Sequence, residues 1–140
     1  MSYSSSTSIV IATPLSSVWD ALTKPELVKQ YFFNTDMDTD WKIGSPIFFR
    51  GEWQGKPYED KGTVLSIKPM KSLSYNYWSG FSGLPDKPEL YQVISFELSE
   101  APGGVKLTVS QSNVETQEKA DHGASNWKMV LEGLKKFLEK

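Results

Sequence analysis

The 140-residue chain has no cysteine and a single histidine, His122. Without cysteine there are no disulfides, no thiolate metal sites and no cysteine nucleophile, and a reducing compartment fits. One imidazole cannot build a histidine-rich metal centre, and no serine–carboxylate pattern around it points to a catalytic triad. His122 can titrate near neutral pH, but its place near the start of a helical segment makes a surface position the simpler expectation. No basic block stands out. The 15 Lys and Arg are set against 17 Asp and Glu, for a formal net charge of −2, and the clustered positive footprint of a nucleic-acid surface is missing. No apolar run approaches the roughly 20 residues of a membrane span. The start, M-S-Y-S-S-S-T-S, lacks the basic region and apolar core of a signal peptide. These absences lead to the expectation of a cytoplasmic protein, one domain over residues 1–140, with no cofactor, no metal, no nucleic-acid partner and no membrane span.

What is present is patterning and aromatic side chains, the latter 13% of the residues. Thr7 to Ala12 is β-branched and apolar, a first strand. Thr13 and Pro14 predict a helix start, with Thr13 as cap and Pro14 in the first position. Val18, Trp19 and Leu22 share one helical face. Lys24-Pro25 interrupts the helix, because a residue preceding proline is pushed out of the helical region. Pro25 then opens a second short helix, with Glu26 at its positive end and Leu27, Val28 and Tyr31 on its apolar side. From Asn34 the period becomes two. Asp36, Asp38 and Asp40 alternate with Met37, Thr39 and Trp41, and strands follow around Ile47–Trp53, Tyr58–Lys68, Leu73–Tyr77, Ile94–Leu98 and Val105–Val109. Gly123, Trp127, Val130, Leu131, Leu134, Phe137 and Leu138 form one stripe of a final helix.

The helix pair V-W-D-A-L-T-K-P-E-L (Val18 to Leu27) resembles proteins related to the activator of heat-shock protein 90 ATPase. So do Trp41-x-x-Gly44, Gly62-x-Val64 with Pro69 closing its strand, Leu73-x-Tyr75, Phe96-x-Leu98, Gly123-x-x-x-Trp127 and Leu134-Lys135. The resemblance runs from about Ile9 to Leu138. It implies membership of the START-like, or Bet v-like, superfamily, also named for polyketide cyclases. The implied fold is α+β helix-grip: a curved antiparallel sheet of about six or seven strands wrapped on the C-terminal helix, with the helix pair at one end. Ser45-Pro46 replaces the family's usual second glycine after Gly44, a change to a turn. Full-length chaperone activators of this kind carry an additional N-terminal domain that these residues do not include.

Several residue groups bear on function. Asp36-x-Asp38-x-Asp40 begins like a calcium loop, but the sixth and twelfth positions hold Trp41 and Ile47 where that loop needs glycine and glutamate; a solvated strand face is expected. Ile47, Phe49, Trp53, Leu73, Tyr75, Tyr77, Ile94 and Phe96 alternate onto the concave face, toward Trp127, Val130 and Leu131. If they interdigitate they are core. If the sheet stands off the helix they line an apolar pocket, with the Tyr75 and Tyr77 hydroxyls and the Trp53 indole as its orienting polar groups. Arg50 and Glu52 are expected to face outward. The breaker-rich segment Ser79–Glu89 predicts a long loop with Phe81 and Leu84 as apolar tips of a lid or a partner contact. The leading expectation is therefore binding of a small hydrophobic ligand at Phe49, Trp53, Tyr75, Tyr77, Phe96, Trp127, Val130 and Leu131, with no catalytic residue. The alternative is a co-chaperone-like interaction module acting on the heat-shock chaperone, and the third is a cyclase-type enzyme, as some superfamily relatives are. No pair of titratable groups is spaced for acid–base chemistry. A cavity above ~300 Å³ favours the ligand, and a packed interior with an apolar patch at Phe81 favours the partner.

Overall fold

The structure, a computed structural model, describes residues 3–32, 34–79 and 84–139. Phe33 and Phe81 lie outside the described residues, and of Trp53 only the backbone is described. Seven strands, β1 (Tyr3–Ile11), β2 (Asp36–Asp38), β3 (Pro46–Trp53), β4 (Lys56–Lys68), β5 (Ser72–Tyr77), β6 (Gln92–Ala101) and β7 (Gly104–Val114), form one curved antiparallel sheet. Their spatial order is β1-β7-β6-β5-β4-β3-β2. Helices α1 (Leu15–Thr23) and α2 (Pro25–Tyr31) follow β1, and the long α3 (Gln117–Leu138) follows β7. This is the helix-grip arrangement that the family resemblance implies.

Period-two alternation fixes the inner face. Ile47 and Phe49 of β3, Leu73 and Tyr75 of β5, Ile94, Phe96 and Leu98 of β6, and Val105, Leu107 and Val109 of β7 are all buried, because each second side chain points to the same side of the pleat. On β4 the alternation survives a bulge: register slips between Val64 and Ser66, so Leu65 and Ser66 both turn outward and the strand bends there. Gly62 marks a second tight place. A Cβ on it would lie 1.7 Å from the Asn76 carbonyl oxygen, while the Asn76 side chain accepts from the Thr63 amide at 2.6 Å.

Four local expectations need correction. Thr13 does not cap α1 and Pro14 is not its first residue: Pro14 itself is the N-cap, in extended conformation, and its carbonyl accepts the first helical hydrogen bond from Ser17 at 3.0 Å. The two-residue turn is Gln54-Gly55, with φ of 53° and 80°, a mirror-image hairpin turn; β4 accordingly begins at Lys56 rather than Tyr58. Strand alternation stops at Asp38. Asp40 accepts from the Lys42 amide at 2.9 Å and Trp41 takes a left-handed φ of 59°. Finally, α3 starts six residues before its apolar stripe, where the Thr116 hydroxyl accepts from the Lys119 amide at 3.1 Å, a cap that the stripe alone does not signal.

The stripe of α3 buries Val130, Leu131 and Leu134. At its far end Lys135 donates to the Val10 carbonyl at 3.0 Å, and Glu139 accepts from the Ala12 amide at 2.8 Å. The helix is thereby tied to the end of β1. At its near end, Gln111 of β7 lies under Gly123 and donates to the Ala120 carbonyl at 3.3 Å. Among the described residues no helix is long and apolar enough to cross a membrane.

Candidate functional site

The aromatic residues of the inner face are brought together with two aromatics of the helical layer. Phe49 lies 5.5 Å from Tyr75 between ring centroids, and Tyr75 lies 6.4 Å from Phe96. Phe96 meets Trp127 edge-on at 5.5 Å, Trp127 meets Phe32 at 5.7 Å, and Phe32 returns to Phe49 at 6.3 Å. Five rings thus form a closed circuit across sheet, α2 end and α3. Two of the five contacts are edge-on, one is stacked and two are tilted, and such contacts add to simple burial.

Between the helix pair and the sheet is a partly open cavity of about 20 Å³, lined by Leu22, Val28, Phe32, Phe49, Tyr75 and Phe96 among others. That volume holds about one water molecule. The interior is therefore close to fully packed, far below the ligand-sized pocket weighed from the sequence. Tyr31 and Trp41 also line it, and both are pinned: the Tyr31 hydroxyl donates to the Ala21 carbonyl at 2.7 Å, and the Trp41 indole donates to Thr23 at 2.9 Å. Tyr75 differs. It is 4% exposed as a residue; its hydroxyl makes no hydrogen bond with a described residue, but it is not among the buried unpaired atoms. Burial pushes its pKa up, so the phenol is neutral.

The remaining predicted site residues divide. Tyr77 shares the wall through a T-shaped contact with Phe49 at 5.8 Å, but its hydroxyl donates to Asp60 Oδ2. Trp127 backs the cavity through Phe96 and Phe32. Val130 and Leu131 are buried without lining it. Leu84 is half-buried, and its carbonyl accepts from the Trp78 indole at 3.1 Å.

Asp60 escaped the sequence reading. It is a carboxylate on the inner face, 7% exposed, with Oδ1 lacking any hydrogen-bond partner among the described residues. Burial raises its pKa, and hydrogen bonds from Tyr77 and Ser79 pull it partly back. The available signal was register: Tyr58, Asp60, Gly62 and Val64 are successive inner positions. Tyr58 covers Gly51, where a Cβ would stand 2.8 Å from the phenol oxygen, and its hydroxyl pairs with Thr35 at 2.9 Å.

The outward expectation for Arg50 holds. Its guanidinium donates to Glu59 at 2.6 Å and Asp38 at 3.0 Å above the Phe48 ring, and these hydrogen bonds, Glu59 first, raise its pKa. It belongs to a surface network and is not an anion receptor inside the fold. Asp36 pairs with Lys29 at 2.9 Å, in keeping with a solvated strand face. His122 is exposed. Among the described residues no cluster of three acidic or histidine side chains is placed to hold a metal.

Residues 12–139 match the family described as Activator of Hsp90 ATPase homolog 1-like protein. No curated protein matches the sequence. Among solved structures, the Cytophaga hutchinsonii protein ChR145 is 44% identical, with a TM-score of 0.84 over 98% of this chain and 94% of that one. The Aha1 dimer of Colwellia psychrerythraea gives 22% identity and a TM-score of 0.75, covering 98% of this chain and 96% of that chain. DynU16, a protein in the dynemicin biosynthetic locus, gives 17% identity and a TM-score of 0.80, covering 98% of this chain and 47% of that one. The last two show a shared fold.

Proposed function

The chain belongs to the Activator of Hsp90 ATPase homolog 1-like family, and within it we propose that this protein binds a small hydrophobic molecule between the curved sheet and α3, at Phe49, Tyr75 and Phe96, with Trp127 and Phe32 as the movable wall. The observation that carries this reading is the circuit of five aromatic rings around an apolar cavity, with Tyr75 in its wall. A phenol hydroxyl in an otherwise apolar wall is the kind of polar group that orients a ligand in such a site. The cavity of about 20 Å³ requires the ligand to displace side chains. Phe32 and Trp127 are half-buried and swing outward at less cost than Tyr75 or Phe96. Tyr77 belongs to the proposed site as its outer rim, with Val130 and Leu131 as its support and Leu84 beside it; the sequence also assigns Trp53 and Phe81 to the site, but the Trp53 side chain and Phe81 lie outside what the structure describes.

A flat phenol such as naphthol is the suitable probe. It should raise the melting temperature of the protein, as any native-state ligand must, and Tyr75→Phe should reduce that rise. No stabilisation by naphthol at its solubility limit contradicts the reading.

The nearly packed interior favours a second reading, an interaction module acting on a heat-shock chaperone, in keeping with the family's description. Its test is stimulation of chaperone ATP hydrolysis on mixing. Unchanged turnover at high excess removes it.

A further inference from the structure

Asp60 is harder to explain as scaffold than any other polar residue in the fold. A buried carboxylate usually has each oxygen paired or faces a cation, since its desolvation is costly. Here Tyr77 and Ser79 both hydrogen-bond the carboxylate, Tyr77 at Oδ2, while Oδ1 is buried and has no partner among the described residues. Nor does a cation among the described residues answer it. Arg50 is committed to Asp38 and Glu59, and Lys61 to Asp86 at 2.5 Å. The position matters as much as the deficit. Asp60 stands directly across from Phe49 in the β3–β4 register, and Phe49 lines the aromatic cavity. The same ring packs edge-on against Tyr77. Phe49 is thus the common partition between the cavity and the carboxylate, with two aromatic rings and an anionic oxygen grouped at one end of an apolar interior.

We propose that Asp60 is the head-group receptor of the ligand site: it takes an ammonium group, donated to Oδ1 and flanked by the Phe49 and Tyr77 rings, from a ligand whose apolar body lies against Tyr75 and Phe96. An ammonium meets every requirement of the place. It supplies the N–H donor that Oδ1 lacks and the counter-charge that a buried carboxylate needs, and it is attracted to aromatic faces. The ligand class is therefore an aromatic or alicyclic amine. This inference rests on the binding reading above and adds the polarity and charge of its ligand.

Three probes of one shape test it: naphthylmethylamine, naphthylmethanol and methylnaphthalene, titrated into the intact protein and into Asp60→Asn. The amine is expected to bind at least tenfold more tightly than methylnaphthalene. Asp60→Asn should erase that preference and leave methylnaphthalene affinity within about twofold. In the unsubstituted protein the Asp60 carboxyl carbon resonance should move on adding the amine and stay still on adding methylnaphthalene, a readout independent of how well the variant folds. Equal affinities for the three probes, an amine preference that survives in Asp60→Asn, or a still Asp60 resonance overturns the proposal while leaving the hydrophobic site intact. An alcohol that matches the amine replaces the ammonium with a neutral donor and overturns the charge argument. If methylnaphthalene also fails to bind, both the receptor and the site are lost.

Discussion

Gln111 on the sheet and Gly123 on the last helix occupy one space: a Cβ on Gly123 would lie 1.9 Å from Gln111 Nε2. Gln111 is 5% exposed, and its amide is held by the Ala120 carbonyl at 3.3 Å. The glycine in the Gly123-x-x-x-Trp127 pattern therefore has a packing reason. It lets α3 settle onto β7, which in turn places Trp127 against Phe96. Gly123→Ala should destabilise the protein by about 1–3 kcal/mol, the usual cost of overpacking, and should alter Trp127 fluorescence. Unchanged denaturation midpoint and emission would show that Gln111 moves aside freely.

Gly62 has less room to adjust, because its obstacle is backbone. With the Asn76 carbonyl 1.7 Å from the position of a Cβ, Gly62→Ala forces β4 and β5 apart. The expected loss is on the order of 3 kcal/mol, read from urea denaturation, and exceeds that of Gly123→Ala.

Two tyrosines one pleat apart should behave in opposite ways. The Tyr77 hydroxyl donates to a carboxylate, so Tyr77→Phe should cost about 1.5–3 kcal/mol. The Tyr75 hydroxyl makes no hydrogen bond with a described residue, so Tyr75→Phe should change stability by less than about 0.5 kcal/mol, or improve it. A large loss for Tyr75→Phe would mean that the hydroxyl is already satisfied in the free protein.

Asp60 and Glu139 give pH dependences of opposite sign. Burial holds the Asp60 pKa above its ordinary value, so the folded state retains the proton more strongly than the unfolded one. Stability from this group falls as pH rises from the ordinary aspartate range through the raised value. The Glu139 pKa is lowered by the Ala12 amide and then by Lys135. Its contribution is present above the ordinary glutamate range and disappears as pH falls through the lowered value. Asp60→Asn should remove the first dependence and Glu139→Gln the second, as read from melting temperatures across acidic pH.

The family signature and the alternation of strands 47–53, 73–77 and 94–98 made the fold legible, because strict period two with breakers between leaves few arrangements. Phe49, Tyr75 and Phe96 could be placed on one face by the same count. What could not be read is how far sheet and helix stand apart. That distance depends on interdigitation of Phe32 and Trp127 from separate elements, and no local pattern encodes it. Asp60 was missed for a different reason. Composition favours reading a carboxylate between charged neighbours Glu59 and Lys61 as surface, whereas counting inward from Val64 places it inside. The Thr116 cap was likewise hidden, because the first turn of α3 is polar and carries no stripe.

The central claim is that a small hydrophobic molecule enters the aromatic circuit. Its most direct test is a naphthol titration of the isotope-labelled protein followed through aromatic and methyl resonances. The account predicts saturable shifts at Tyr75, Phe96, Phe49 and Trp127, with the Tyr75 shift the most dependent on the probe's hydroxyl. Saturation confined to surface residues, or no shift up to the solubility limit of naphthol, would contradict it.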